Sequence, residues 1–395
     1  MKTSIRDLDL QGKRVFIRVD FNVPLSGGRI DDDTRIRASV PTIQYALDHD
    51  ATAVLASHLG RPKGKVAPQY SLRPVAVRLA EILGRPVTFA DDCVGDTAAA
   101  AVAEASRTTH VVLLENLRFH PEEEKNDPAF AAALASLADL YVDDAFGAAH
   151  RAHASVERIA HCLPRPAAGL LMEQELHYLG QALESPERPF VAILGGAKVS
   201  DKIEVIQNLL AKVDSLLIGG AMAYTFFRAQ DRPTGRSLVE EDKVDAARAV
   251  LERAKTGPVT LALPSDHVVT DKIDGTGSME ELQIGDPAIG NRMGVDIGPQ
   301  TIAAYQGLIA KAHTVVWNGP MGVFEVEAFA RGTTAIARAV AAVKGTTIIG
   351  GGDSISAVKR AGVADRITHI STGGGASLEF LGGRVLPGVA ALSDR

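Results

Sequence analysis

The sequence predicts an α/β protein of two three-layer (αβα) domains, each a parallel sheet between helices, joined by a connector helix and hinge. Three observations carry this. The chain has 395 residues, more than one hydrophobic core usually organises. Short β-branched or leucine-rich runs recur along it, each followed by a polar or glycine-rich turn and then an Ala/Leu-rich helical pattern, which is the rhythm of βαβ units. One helical pattern near the middle stands between two proline-rich breaks.

In chain order, the first half offers apolar runs at Val15 to Val19, Ala53 to Ala56, Pro86 to Phe89, Val111 to Leu114 and Leu140 to Val142. The second half offers Val191 to Leu194, Ser215 to Ile218, Val259 to Ala262, Thr314 to Trp317, Thr346 to Ile349 and Thr368 to Ile370. Near-continuous apolar strands alternating with helices imply parallel sheets covered on both faces. Asp127-Pro128 predicts a helix start, an acid at the cap and a proline in the first turn, before Ala129 to Ala138. Ser71 is expected to cap a helix running through Leu83. Leu163-Pro164-Arg165-Pro166 and Ser185-Pro186-Glu187-Arg188-Pro189 bracket a helical pattern from Leu170 to Leu183, read as the connector. The expected domains are 1–168 with the C-terminal segment 378–395, and 169–377.

Composition narrows the function. A formal net charge of −6 gives no basic field for nucleic acid, so any anion must be held locally. No apolar h-region opens the chain and no apolar run is long enough to span a bilayer, so a cytoplasmic protein is expected. Cys93 and Cys162 lack metal-ligand spacing and disulfide density, which fits a reducing compartment and predicts two buried, inert thiols.

Ligands of open parallel sheets bind beyond the carboxyl ends of the strands. There the halves differ. The first has Asp20-Phe21-Asn22-Val23-Pro24, Ser57-His58-Leu59-Gly60-Arg61-Pro62, Glu115-Asn116-Leu117-Arg118-Phe119 and Asp143 through Arg151. Arginine forks suit bidentate contacts with phosphate and carboxylate. The second has Gly195-Gly196-Ala197-Lys198, Gly219-Gly220-Ala221, Asn318-Gly319-Pro320, Gly350-Gly351-Gly352-Asp353-Ser354 and Gly373-Gly374-Gly375. Glycines let backbone N–H groups approach phosphate oxygens at helix starts, as a nucleotide requires. Singly, each of these is an ordinary turn, a solvated arginine or a structural histidine; their sorting into an arginine half and a glycine half favours two anion sites. Neither a Gly-x-x-x-x-Gly-Lys-Ser/Thr loop nor a Gly-x-Gly-x-x-Gly fingerprint is present, and the protein-kinase motifs are missing.

At these positions the sequence resembles the phosphoglycerate kinases nearly end to end. The resemblance rests on Arg18-Val19-Asp20-Phe21-Asn22-Val23-Pro24, Ser57 to Pro62, Glu115 to Phe119, Gly195 to Lys202 and Trp317-Asn318-Gly319-Pro320-Met321-Gly322-Val323-Phe324-Glu325. It implies two Rossmann-like domains and reversible phosphoryl transfer between ATP and the carboxylate of 3-phosphoglycerate, a step of glycolysis and gluconeogenesis, in a monomer. Substrate would be held by Asp20, Phe21, Asn22, Arg35, His58, Leu59, Gly60, Arg61, Arg118 and Arg151. ATP or ADP would be held by Lys202, Gly219, Gly220, Gly294, Pro320, Glu325, Gly351, Gly352, Asp353 and Ser354, with Asp353 the carboxylate for Mg2+. Arg35, Lys198 and the Gly374 helix start would be the catalytic groups. Asp143 stands where the family usually has Asn, and Gly382-Gly383 replaces a more acidic pair, which touches only local detail.

A carboxylate acceptor titrates at about 4 and needs no general base at neutral pH. Ligands on separate domains imply hinge closure, with bending at the breaks around the connector and near Leu378. Two rival readings are a bilobed binding protein without catalysis and a nicotinamide-dependent dehydrogenase. The two unlike anion sites weigh against the first, and the missing dinucleotide fingerprint against the second.

Overall fold

The strands, in chain order, are β1 (Arg14–Arg18), β2 (Leu25–Ser26), β3 (Arg29–Ile30), β4 (Thr52–Ala56), β5 (Thr88–Ala90), β6 (Val111–Leu114), β7 (Leu140–Asp143) and β8 (Ala167–Ala168). They continue with β9 (Phe190–Leu194), β10 (Ser215–Ile218), β11 (Thr260–Ala262), β12 (Asp266–Thr270), β13 (Met279–Gln283), β14 (Met293–Ile297), β15 (Thr314–Asn318), β16 (Thr346–Gly350) and β17 (His369–Ile370). This is a computed structural model describing residues 2–395. It divides into two compact units, Met1–His177 with Val385–Arg395, and Tyr178–Arg384.

The first unit is built on a six-stranded parallel sheet in the order β5-β6-β4-β1-β7-β8. All five β4 residues are buried, as a strand covered on both faces must be. Its core runs from Ile5 through Val15, Ile17, Leu55, Leu79 and Leu113 to Val142. The second unit has a six-stranded parallel sheet in the order β11-β10-β9-β15-β16-β17. Reading outward from β9, the chain first moves one way to β11 and then, from β15, the other way. The crevice of such a doubly wound sheet lies where the direction reverses, between β9 and β15. Its core gathers Ile193, Leu217, Trp317, Phe324, Ile336 and Ile349.

Every expected apolar run overlaps a strand, although Val19, Pro86, Val87, Val259 and Thr368 fall outside theirs. Three features differ from expectation. Between β11 and β15 lies a three-stranded antiparallel sheet, β13-β12-β14, with a bulge at Val268/Val269. Only Leu282 of the five β13 residues is buried, so the segment carries no apolar run to read. The helix after Ser71 begins at Arg73 with Leu72 at its cap; the Ser71 hydroxyl accepts the Arg73 N–H at 3.2 Å and donates to Glu115. At Pro128–Ala135 the Asp127 carboxylate does cap, accepting the Phe130 N–H at 2.8 Å.

The units divide within the connector helix, Leu170–Glu184, and again after Arg384, rather than at 168/169 and 377/378. The cause is local anchoring. The helix start is tied into the first unit, where Thr42 Oγ1 accepts the Leu170 N–H and the buried Asp144 accepts those of Leu171 and Met172. At the other end, Asn208 donates to the Leu381 carbonyl at 2.6 Å, which keeps Gly375–Leu381 with the second unit.

Candidate active site

In the first unit the arginine-bearing loops follow β1, β4, β6 and β7, and the first three of these strands are neighbours with β7 on the far side of β1. Adjacent strand ends bring their loops together. Arg35 Nη1 donates to Asp20 Oδ2 at 3.0 Å and to the Asn22 carbonyl at 3.2 Å. Asn22 Oδ1 accepts the Gly60 N–H at 2.9 Å, and Arg118 Nη1 donates to the Gly60 carbonyl at 2.9 Å. Five of the expected residues therefore share one hydrogen-bonded chain. Both Arg35 contacts use Nη1, which leaves the rest of its fork unengaged by them.

Other expected residues enter differently. The Phe21 and Leu59 side chains belong to the core, so these residues offer the site backbone only. Phe21 N–H is fixed by Ser57 Oγ, and Leu59 exchanges two hydrogen bonds with the Asn116 amide. Arg61 is exposed, and Arg151 donates to His150 at 3.1 Å.

Charge distinguishes this region. Arg151 lies close enough to act on both Arg118 and His153, and Arg35 acts on His58. Burial and the neighbouring Arg18 and Arg118 hold His58 well below the ordinary imidazole range, and His153 is pushed down to about 3 chiefly by burial. Both rings are neutral at pH 7. Cations gathered this closely favour an anionic guest.

Arg18 is the residue that sequence reasoning passed over. Although it stood in a quoted motif, nothing marked it as the support of His58. It is fully buried, donating through Nε to Ser155 Oγ at 2.8 Å and through Nη2 to His58 Nδ1 at 3.0 Å. Guanidinium only donates, so His58 Nδ1 accepts and the ring proton sits on Nε2. Ser155 in turn is held by the buried Glu123.

In the second unit the loops after β9, β10 and β15 meet at the crevice, beside a cavity of about 240 Å³. Gly220, Gly294, Pro320, Glu325 and Asp353 line it, as the resemblance led one to expect. So do Tyr224, His267, Val295 and Asp296, which sequence reasoning missed; two of them lie on the antiparallel sheet's β14 and one on its β12. Lys202, Gly219, Gly351, Gly352 and Ser354 are not in its lining. Lys202 Nζ nevertheless lies near Gly196, and burial lowers its pKa against the opposing pull of Asp201 and Asp353.

The expected use of the first glycines by phosphate needs correction. The N–H groups of Gly195, Gly196, Gly219 and Gly220 already donate to the carbonyls of Asn318, Pro320, Leu194 and Met321. Those glycines pack three loops backbone to backbone; they offer no free donor. Uncapped N–H groups occur instead at Gly352–Arg360, whose cap residue Gly351 supplies no side chain, and at Gly375–Leu381, capped by Gly374. Lys198 lies exposed in the loop ahead of Ile203–Leu209.

Asp353 sits in the first turn of Gly352–Arg360 at the cavity wall, exposed and without an ion pair among the described residues. A single carboxylate beside a helix start without a side-chain cap is a fitting donor for Mg2+, which takes one or two carboxylates and fills the rest with phosphate and water. Elsewhere, Asp92, Cys93 and His120 bring potential ligand atoms within 4.8 Å of one another, with His120 Nε2 2.7 Å from Asp92 Oδ1. Cys93 is buried as expected, but Cys162 is exposed, at the end of a short 3-10 turn.

Residues 5–384 match the family model for phosphoglycerate kinase. The chain belongs to the phosphoglycerate kinase family. A phosphoglycerate kinase of Acidobacterium capsulatum is 60% identical over 403 residues, and that of Moorella thermoacetica 59% over 394, each covering 100% of both chains. Among solved structures, phosphoglycerate kinase from Coxiella burnetii superposes with a TM-score of 0.89 at 41% identity, covering 99% of this chain and 98% of that one. That from Pyrococcus horikoshii OT3 does so with a TM-score of 0.84 at 33% identity and the same coverage. The chain is therefore a kinase of glycolysis, with the two α/β units of that family. No helix among the described residues is long and apolar enough to cross a membrane.

Proposed function

We propose that the first unit binds 3-phosphoglycerate, the second binds ATP or ADP with Mg2+, and the γ-phosphoryl group passes directly to the substrate carboxylate. The observation that carries this reading is the gathering of Asp20, Asn22, Arg35, Gly60 and Arg118 in one hydrogen-bonded chain beside Arg151. Arg118, Arg151 and the exposed Arg61 neutralise the substrate phosphate. Neutral His58 offers its Nε2–H without adding charge.

The acceptor carboxylate is ionised at neutral pH and attacks the γ-phosphorus without losing a proton. As the new P–O bond forms, the bond to the β-phosphate oxygen breaks and ADP leaves with its electron pair. No general base is required, and the paired Asp20 is not placed as one. The chain's task is alignment and charge stabilisation. Arg35, keeping Asp20 on Nη1, turns its remaining donors to the equatorial oxygens; Lys198 and the Gly374 helix start assist. Lys202 and the first turn of Gly352–Arg360 hold the nucleotide phosphates, Glu325 the ribose, and Gly219, Gly220, Gly294 and Pro320 the region of the base. Asp353 holds Mg2+, which when bound neutralises phosphate charge.

Transfer between ligands on different units requires the units to approach during turnover, as hinge bending allows. An exposed free thiol at Cys162 fits a reducing cytoplasm, and a monomer is the state the family resemblance implies. ATP consumption should require both 3-phosphoglycerate and Mg2+. Arg35→Ala should lower kcat by about a hundredfold or more while leaving ATP affinity within about twofold. ATP turnover indifferent to 3-phosphoglycerate would refute the assignment.

A further inference from the structure

Two loops of the first unit bring three metal-binding side chains together, none of them among the residues assigned to substrate. β5 and β6 are parallel neighbours, with Ala90 beside Leu114, so the segments leaving their carboxyl ends meet. The first segment carries Asp92 and Cys93. The second turns through Leu117–Phe119 and reaches His120. A carboxylate oxygen of Asp92, the Cys93 sulfur and a ring nitrogen of His120 lie within 4.8 Å of one another. Local contacts hold them there. Asp92 Oδ1 accepts the Cys93 N–H at 2.6 Å and meets His120 Nε2 at 2.7 Å, and the His120 ring packs against Phe130 with centroids 5.3 Å apart. His120 stands at the cap of Pro121–Glu124 without spending its side chain there. Cys93 is fully buried, whereas the Asp92 and His120 side chains are 44% and 29% exposed, so the cluster is sealed at the sulfur and open to solvent on its other side.

The surrounding charge favours a cation. After burial, the groups that keep the Cys93 thiol protonated are the carboxylates of Asp92, Glu123 and Glu115. Glu123 is committed to Ser155, and Glu115 to Ser71 and Leu72, so these two act through their field rather than as ligands. Such a field makes the sulfur a poor nucleophile but draws a metal ion toward it. A bound metal takes the thiolate, and the thiol proton leaves to solvent.

Asp92 and His120 alone would make an ordinary surface hydrogen bond. The sulfur placed against them completes a set of one sulfur, one nitrogen and one oxygen, which suits a borderline-soft ion and not hard Mg2+. Zn2+, with bonds of about 2.0–2.3 Å, sets its ligand atoms roughly 3.3–3.6 Å apart, so shifts of about 1 Å close the cluster on it. We propose that Asp92, Cys93 and His120 form a Zn2+ site, with water completing the tetrahedron. The site is separate from the Asp353 carboxylate, and its occupation ties the loop after β5 to the loop that carries Arg118.

The test titrates the full chain, stripped with a chelator and free of nucleotide, with Zn2+ in calorimetry and with Co2+ in absorption. One Zn2+ should bind per chain, and Co2+ in the same place should show thiolate-to-metal charge transfer in the near ultraviolet. Cys162, the exposed thiol, is the competing sulfur. Cys162→Ser should leave the band and the Zn2+ affinity unchanged. Cys93→Ser should abolish the band and lower the affinity at least about tenfold, the cost of disturbing even an outer partner of a metal. His120→Ala removes a partly exposed ligand and should lower the affinity by a similar factor, which serves should Cys93→Ser fail to fold. Excess Mg2+ should leave the Co2+ band in place. The proposal is overturned if neither ion binds, if the band follows Cys162, if Mg2+ displaces Co2+, or if the affinity survives both Cys93→Ser and His120→Ala.

Discussion

A hydrogen atom replaced by a methyl group decides what Gly195 is for. A Cβ at Gly195 would lie 2.0 Å from the Pro320 carbonyl, and one at Gly319, whose φ is +97°, would lie 2.1 Å from the Gly195 carbonyl. Both obstacles are backbone, which cannot rotate aside. Gly195→Ala should therefore destabilise the second unit by about 3 kcal/mol, the range of forced overpacking, read as a lower urea midpoint, and should weaken ATP binding by displacing the loop beside the cavity. Gly180→Ala is the matched control, since a Cβ there meets nothing within 4 Å inside the helix Leu170–Glu184. It should leave the midpoint unchanged or raise it, helix propensity gaining about 0.5–1 kcal/mol. Equal effects of the two substitutions would mean that the loops of β9 and β15 do not interlock. At this scale the sequence showed that these glycines matter but not why, because a Gly-Gly pair looks the same whether its N–H groups serve a phosphate or a neighbouring carbonyl. Arg18 and His267 were opaque for a related reason: their partners, Ser155 and Tyr224, lie far off in the chain.

The connector helix shows how an element depends on side chains remote in sequence. Proline-rich breaks on either side made Leu170 to Leu183 legible in the sequence, and the helix runs Leu170–Glu184. Its anchoring was not legible, since Thr42 and Asp144 reach its first turn only through the fold. Burial pushes the Asp144 carboxyl up to about 8, with Asp143 beside it raised to about 6 for the same reason. An unfolded aspartate titrates near 3.9. Between pH of about 4 and about 8 the folded protein thus keeps a proton on Asp144 that the unfolded chain has released. Stability from this group is fully present below that window and is lost as pH rises through the folded value. Asp144→Asn keeps an acceptor for the Leu171 and Met172 N–H groups and cannot ionise. Its stability relative to the unaltered protein should rise steadily from mildly acidic pH to pH of about 8, and level off beyond, in urea unfolding followed across pH. Parallel pH profiles would show that Asp144 is already ionised in the folded state. The antiparallel sheet is the opposite case: β13 exposes four of its five residues, so no periodicity announced it, and with it went the β12 and β14 residues that line the cavity of the second unit.

At the scale of the whole molecule, two parallel sheets with different strand orders carry two chemically different sets of loops. Alternating apolar runs and helices made the sheets legible, and the sorting of arginine from glycine at their ends made the two ligand classes legible before any geometry was known. A division of that kind has a thermodynamic consequence, because sites made from separate residues contribute separate binding free energies. Titrating 3-phosphoglycerate into the enzyme should give one site whether or not MgATP is present, and the reverse should hold. Each ligand at about a hundred times its Kd should stabilise the unit that binds it by about 2.7 kcal/mol. Substitutions should separate just as cleanly. Arg118→Ala removes a buried cation from the first unit and should weaken 3-phosphoglycerate by at least about tenfold, leaving MgATP unchanged. Lys202→Ala should do the converse. Salt sharpens the distinction, since screening weakens exposed charge pairs more than buried ones. The loss of 3-phosphoglycerate affinity with ionic strength should therefore be smaller when it is Arg118, 6% exposed, than when it is the exposed Arg61 that remains to hold the phosphate. Competition between the two ligands in calorimetry, or a single substitution that abolishes both, would place them on one shared set of residues and undo the two-site assignment.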